Sequence, residues 1–156
     1  MSAGLEIRPA AAGDVPAIVA LIRALAEYEK AAPGAVTLTE DLLREALFGT
    51  RPSLEAQVAV TAGEIAGYAL FFHNFSSWRG RRGLYLEDLF VRPELRGRGI
   101  GKALLTELKR LARERGCARL EWVVVDWNQP AIDFYRSQGA HPVEGWTLWR
   151  LDAPQE

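Results

Sequence analysis

At 156 residues the chain has the length of one domain, enough to bury roughly two-thirds of its unfolded surface in a single core. With 49% hydrophobic and 25% charged residues it reads as soluble and globular, and its formal net charge of −1 excludes the bulk attraction that nucleic-acid binders use. The apolar runs fall far short of a membrane span, the first residues lack the basic and apolar regions of a secretory leader, and the single cysteine, Cys117, cannot close an internal disulfide, so a reducing cytoplasm is the expected compartment.

Leu5-Glu6-Ile7-Arg8 alternates and predicts a first strand. Asp14 is placed to cap a helix with Pro16 in its first turn and with Val15, Ile18, Val19, Ile22 and Leu25 at helical spacing. Ala31-Ala32-Pro33-Gly34 breaks it, and Thr39 is placed to cap a second helix that ends near Gly49. Ala56 to Thr61 and Ile65 to His73 predict a hairpin around Ala62-Gly63-Glu64. Asn74 to Gly83 reads as a loop and Leu84 to Val91 as the next strand. A long helix follows from Lys102 to Arg115, then a β-branched strand from Arg119 to Val125. Asn128-Gln129-Pro130 starts a last helix that Gly139 stops, and Trp146 to Leu151 predicts a final strand. The order βααβββαβαβ, with a hairpin before a βαβ unit, predicts an α/β fold on a mixed sheet in one domain, residues 1–156.

Between the strand ending at Val91 and the long helix lies Arg96-Gly97-Arg98-Gly99-Ile100-Gly101-Lys102. A strand, a glycine-rich turn and a helix start make an anion cradle, because the helix N-terminus offers unpaired amides and the positive end of its dipole. The cradle is not a Walker loop: Arg96 stands where the first glycine belongs, and Ala103 replaces the magnesium-binding hydroxyl. It is not a dinucleotide fingerprint either, since Gly97-x-Gly99-x-Gly101 is one residue short. Arg96-x-x-Gly99-x-Gly101, entered through Val91-Arg92-Pro93, resembles the pyrophosphate loop of the GNAT family of N-acetyltransferases, which bind acetyl-CoA. Taken without the resemblance, the same residues also suit an ordinary helix start with glycines for close packing.

A second segment strengthens the likeness. Asn128-x-x-Ala131-x-x-Phe134-Tyr135-x-x-x-Gly139-Ala140 is similar to the family's C-terminal coenzyme motif, and the element order matches the GNAT acyl-CoA N-acyltransferase fold across the chain. The resemblance implies a cofactor site made of Leu89, Phe90 and Val91, of Arg96 through Lys102 including Arg98, Ile100 and Gly101, and of Asn128, Pro130, Ala131 and Tyr135. It also implies that Tyr135 is the general acid for the departing thiolate. A phenol has an ordinary pKa of about 10 and so carries its proton at neutral pH.

The acceptor amine must lose a proton before it attacks, so the site needs a base. Glu87 and Asp88 lie on the strand that feeds the cradle, where neighbours point to opposite faces. Glu87 is assigned to the amine, directly or through water, and Asp88 is the second candidate. Backbone groups of Leu89 and Val91 suit a pantetheine arm laid alongside as an added strand, and the amide there can polarise a carbonyl.

A narrower likeness joins Arg8-Pro9-Ala10, Leu25-Ala26-Glu27-Tyr28-Glu29, Leu84 through Val91, Trp127-Asn128 and Glu144-Gly145-Trp146. Together these resemble the diamine acetyltransferases, the spermidine/spermine enzymes and their thialysine-acetylating relatives. That likeness implies an amine site lined by Tyr28, Glu29, Trp78, Glu87, Asp88, Glu121, Trp122, Val123, Trp127 and Glu144, a slot of carboxylates and aromatic faces for a cation. It also implies a homodimer whose amine site draws on both chains. The loop Asn74-Phe75-Ser76-Ser77-Trp78 departs from the polyamine enzymes, which tend to carry an acidic residue where Ser76 stands. The lean is therefore toward a shorter acceptor such as thialysine, a lysine-like compound or a short diamine. His73, His141 and Cys117 lack metal-ligand spacing, and no metal, nucleic acid or membrane partner is expected. The alternatives are another acceptor on the same fold, namely a protein N-terminus, another amino acid or an aminoglycoside, and a non-catalytic CoA-binding regulatory domain.

Overall fold

A computed structural model describes residues 4–153. The leader-free reading of the N-terminus rests in part on residues 1–3, which lie outside the described residues. The contacts gather into two compact units, one ending at Val123 and the other starting at Val124.

The first unit is built on a five-stranded sheet in the order β1-β2-β3-β4-β5. β1 (Glu6–Pro9), β2 (Glu55–Thr61), β3 (Glu64–Ser76) and β4 (Arg81–Val91) pair antiparallel in succession. β5 (Leu120–Glu121) joins β4 in parallel after the crossover helix α3 (Ile100–Glu114), so the sheet is mixed as expected. On one face, Val15, Ile18, Val19 and Leu21 of α1 (Val15–Tyr28) and Leu43 and Leu47 of α2 (Glu40–Phe48) bury against Val58, Tyr68, Leu70 and Phe90. On the other, α3 packs on β2, β3 and β4 with Leu104, Leu105 and Leu108 buried completely. Each such leucine contributes about 1.5–3 kcal/mol by leaving water.

Helix starts follow their side-chain chemistry, with one exception. Thr39 Oγ1 accepts from the Leu42 amide at 3.2 Å and caps α2. Asp14 does not cap α1. Its backbone is already helical (φ −84°, ψ −13°), whereas a capping residue is normally extended. Its carboxylate instead takes a fork from Arg8 at 2.7 and 3.0 Å and the Ala11 amide at 2.7 Å. The Arg8 hydrogen bond, against the cost of burial, holds the Asp14 carboxyl below the usual range.

The far end of α3 is braced against the sheet. Arg115 forks onto Glu55 at 2.7 and 2.8 Å, and its Nη1 lies 3.0 Å from His73 Nε2. His73 Nδ1 lies 3.0 Å from the Gly83 carbonyl, which can only accept, so Nδ1 carries the proton and Nε2 accepts from the guanidinium. His73 is a structural bracket in this arrangement, and Cys117 is half-buried beside it.

Three sequence expectations are corrected. The predicted loop Asn74–Gly83 is mostly strand: Asn74, Phe75 and Ser76 pair with Gly83, Arg82 and Arg81 around a turn at Gly80 (φ +65°). The ladder there is made by backbone, so a polar composition hides it. The predicted strand Arg119–Val125 is a strand only at Leu120–Glu121, opposite Leu84 and Tyr85. The predicted final strand Trp146–Leu151 is not formed, and among the described residues no strand follows the last helix. Trp146, Leu148, Trp149 and Leu151 are 70–92% exposed. Alternation marks which residues suit a ladder and is silent about the partner a ladder requires.

In the second unit, α4 (Gln129–Ser137) starts as predicted: Asn128 Oδ1 accepts from the Ala131 amide at 3.3 Å, and Pro130 sits in the first turn. Gly139, at φ +90°, follows its end.

One polar group in the first unit is out of place. Gln57 on β2 is 6% exposed, and its Oε1 is buried without a partner. Leaving an acceptor unsatisfied costs about 1–3 kcal/mol. Gln57→Leu is therefore expected to raise Tm in thermal unfolding by roughly 3–6 °C. A lowered Tm would mean that this oxygen has a hydrogen-bond partner in solution.

Candidate active site

The site begins with an irregularity in β4. Leu70 of β3 stands opposite Asp88 and Phe71 opposite Leu86, so Glu87 is the extra residue of a β-bulge. The bulge changes the phase of the strand. Leu84 and Leu86 are buried outside the α1–α2 core, whereas Phe90 lies within it and Asp88 reaches Tyr68, another member of that core. Leu86 and Asp88, two residues apart, therefore serve opposite faces, and simple alternation does not hold across Glu87. Glu87 acts electrostatically on both Asp88 and Tyr68.

Around this bulge sits an acidic cluster. Tyr68 Oη donates to Asp88 Oδ2 at 3.0 Å, and Tyr68 is completely buried. Burial pushes the Asp88 carboxyl up to about 6, against the pull of the Tyr68 hydrogen bond and with the help of Glu87 and Glu29. Burial also raises the carboxyl of Glu29, the residue that follows α1. Burial, then Asp88, pushes the Tyr68 phenol far up, so it remains a donor. A cation entering this cluster would relieve the repulsion among three carboxylates.

Beyond Val91 the chain turns through Pro93–Leu95 into the cradle. Gly97 and Gly99 have φ of +78° and +80°, a region costly for other residues, and Gly99 is the residue before α3. A Cβ at either glycine would meet nothing within 4 Å, so the space before them is open. The amides of Ile100, Gly101 and Lys102 open α3 and have no acceptor within the helix, while the Ala103 amide already bonds the Gly99 carbonyl at 2.9 Å. Arg98 and Lys102 are exposed beside them. This donor set, bare backbone amides with two cations, fits a diphosphate.

Arg96 links the two features. Its guanidinium lies 4.8 Å from the Tyr28 ring centroid and 5.1 Å from that of Phe90, and its Nε donates to the Val91 carbonyl at 3.1 Å. Arg96 thus fastens the end of α1 to the start of the cradle. Close approach of β3 and β4 supports the same corner, where a Cβ at Gly67 would come within 2.7 Å of the Phe90 carbonyl oxygen.

The structure therefore gathers Tyr28, Glu29, Glu87, Asp88 and Phe90 with Arg96. Within the first unit it does not gather every expected residue. Trp78 is at the β3–β4 hairpin tip, 86% exposed. Ser76, near that tip, is paired six residues along β3 from Leu70, or roughly 20 Å of strand from Asp88. Ser76 is buried and its Oγ accepts from the Arg79 amide at 3.2 Å, so its hydroxyl serves the turn. Glu121 receives Asn74 Nδ2 at 3.0 Å and lies 3.3 Å from Arg119 Nε, while Trp122 is half-buried and Val123 exposed. In the second unit, Tyr135 is a half-buried residue of α4 with its ring centroid 5.3 Å from that of Phe134, and Trp127 and Glu144 are exposed. Tyr68 went unmarked in the sequence. Among the described residues no group of three or more His, Cys, Asp or Glu side chains is placed to hold a metal ion, and no helix is long and apolar enough to cross a membrane.

Comparison with known proteins agrees with this geometry. The model of the acetyltransferase (GNAT) family matches residues 20–140. A thialysine N-epsilon-acetyltransferase of Bos taurus is 40% identical over 157 residues, covering 94% of this chain and 91% of that protein. An L-ornithine N5-acetyltransferase of Arabidopsis thaliana is 45% identical over 87 residues, 56% of this chain and 38% of that protein. The crystal structure of a probable acetyltransferase superposes with a TM-score of 0.80 at 21% identity, over 97% of this chain and 99% of that one, a likeness of fold alone.

Proposed function

The chain belongs to the acetyltransferase (GNAT) family and is an enzyme that acetylates a small amine, and from that premise we propose that its acceptor is an amino acid or short diamine ending in a primary amine, with thialysine as the model. The observation that carries the acceptor class is the acidic cluster of Glu29, Glu87 and Asp88. Two relatives named for acceptors of this kind, thialysine and ornithine, support it. Ser76, spent on a turn where a carboxylate would hold a distant positive charge, supports an acceptor shorter than a polyamine.

Members of the family use acetyl-CoA. When bound, it supplies the acetyl group as an activated thioester. The open cradle fits its diphosphate, with the amides of Gly97 through Lys102 and the charges of Arg98 and Lys102 as the holding groups. The backbone of Leu89, Phe90 and Val91 suits the pantetheine arm, and the resemblance adds Asn128, Pro130 and Ala131. Glu87 receives the amine, and one of the two adjoining carboxylates, Glu87 or Asp88, takes its proton. Tyr135 acts as the acid for the thiolate. Tyr28, Trp78, Glu121, Trp122, Val123, Trp127 and Glu144 complete the reading as acceptor contacts. The family match runs across the boundary at Val123, which supports one N-acetyltransferase domain. We propose a cytoplasmic homodimer, as the resemblance to the diamine acetyltransferases implies.

Release of free CoA across a panel of amines tests the reading. kcat/KM for thialysine is expected to exceed that for spermidine roughly tenfold, the effect of ~1.4 kcal/mol. A spermidine preference would reverse the acceptor length, and coenzyme binding without turnover on any amine would leave a non-catalytic domain.

A further inference from the structure

The bulge at Glu87 leaves two adjoining carboxylates in different settings. Glu87 is exposed. Asp88 is tied by Oδ2 to a tyrosine that has no contact with solvent, which leaves Oδ1 as its remaining acceptor. Three groups act on Asp88: Tyr68 from β3, Glu87 from β4 and Glu29 from the end of α1. The charged ones are all anionic. A carboxylate in such a place is poorly stabilised when ionised, and the Tyr68 hydroxyl is what offsets this.

We propose that Asp88 accepts the proton of the acceptor ammonium and that Tyr68, through its hydrogen bond to Oδ2, is the positioning residue that keeps Asp88 aimed and ionised, with Glu87 holding the incoming charge. In this step an N–H bond of the ammonium breaks, an O–H bond forms at Asp88, and the electron pair stays on nitrogen as the nucleophile. The proposal rests on the amine-acetylating reading above. The level of about 6 for the Asp88 carboxyl is consistent with it, since such a group is mostly ionised at neutral pH and still basic enough to take a proton. The Tyr68 phenol, pushed far up, cannot compete as the base.

Two measurements test it. The first follows the Asp88 carboxyl carbon by NMR in the protein without coenzyme, and the second follows kcat/KM for the amine against pH. In the wild type both should show a midpoint near pH 6. Tyr68→Phe removes only the hydroxyl that favours the ionised form, so both midpoints should move up by about one pH unit or more. Glu87→Gln removes a neighbouring anion and should move the Asp88 midpoint down. A purely structural role for Tyr68 would lower stability and leave the acid limb in place.

An Asp88 titration that ignores Tyr68→Phe overturns the coupling. An acid limb that stays put while the titration moves overturns the proton-acceptor role alone. If Tyr68→Phe fails to fold, Asp88→Asn, which keeps an acceptor for Tyr68, should erase the limb, and its persistence overturns the role. No turnover by the wild type on any amine would overturn the acetylation reading and this role together.

Discussion

Tyr135→Phe is expected to lower kcat by about 10²–10⁴-fold, the usual contribution of a positioned acid, while acetyl-CoA affinity stays nearly unchanged. The structure makes this a clean substitution. α4 is held at its start by Asn128 and Pro130, and the Tyr135 ring packs at a tilt of 55° against Phe134. Phenylalanine keeps that ring contact, so only one oxygen is lost. Asn128 and Tyr135 are seven residues apart on one helix, about two turns, and so lie along one side of it. Removal of an interaction made only in the transition state lowers kcat and kcat/KM together. Steady-state rates with calorimetry of acetyl-CoA binding separate the two quantities, and unchanged turnover would take Tyr135 out of the acid role.

The second large effect is on coenzyme binding. Gly99→Val is expected to weaken acetyl-CoA about 10–100-fold in calorimetry, with the far-UV dichroism of the fold retained. A left-handed conformation costs an ordinary L-residue roughly 1–2 kcal/mol, and a β-branched one more. At φ +80° Gly99 turns the chain so that the next amides open α3. Valine would rotate that turn and misdirect the donors, although its Cβ has open space around it. Gly67 makes the contrast: there the obstacle is the Phe90 carbonyl, so that glycine is a requirement of sheet packing. Wild-type affinity in Gly99→Val would remove the diphosphate from this turn.

The parts of the fold that were legible are those with local causes. Thr39, Pro16 and the spacing from Val15 to Leu25 announce α1 and α2, and Gly99 with Leu104, Leu108 and Leu111 announces α3, because each depends on residues within a few turns. Pairing is not local. The polar ends of β3 and β4 form a ladder because each is the other's neighbour, whereas Trp146–Leu151, with an equally suitable pattern, forms none. The cradle was readable because glycine spacing is itself the signal of a turn. The acidic cluster was only half readable. Glu29, Glu87 and Asp88 stood out by charge, but the bulge at Glu87 has no mark in Leu86-Glu87-Asp88-Leu89, since it is a matter of register with β3. Tyr68 sits among Ala66, Gly67, Ala69 and Leu70, where a tyrosine reads as one more large core residue. Its hydroxyl acquires meaning only opposite Asp88. Asp14 misled for the reverse reason, because a distant-looking Arg8 claimed the carboxylate that capping would have used.

Arg96 belongs at once to the turn that offers its amides and, through Tyr28, to the end of α1. A molecule that pulls on Tyr28 therefore tugs the loop beneath it, and whatever tightens the loop must stiffen the aromatic wall above. Such reciprocity is thermodynamically obligatory: if one ligand changes the other's dissociation constant, the second changes the first's by the same factor. If the acceptor meets Tyr28 as proposed, the affinity for either ligand is expected to depend on the occupancy of the other.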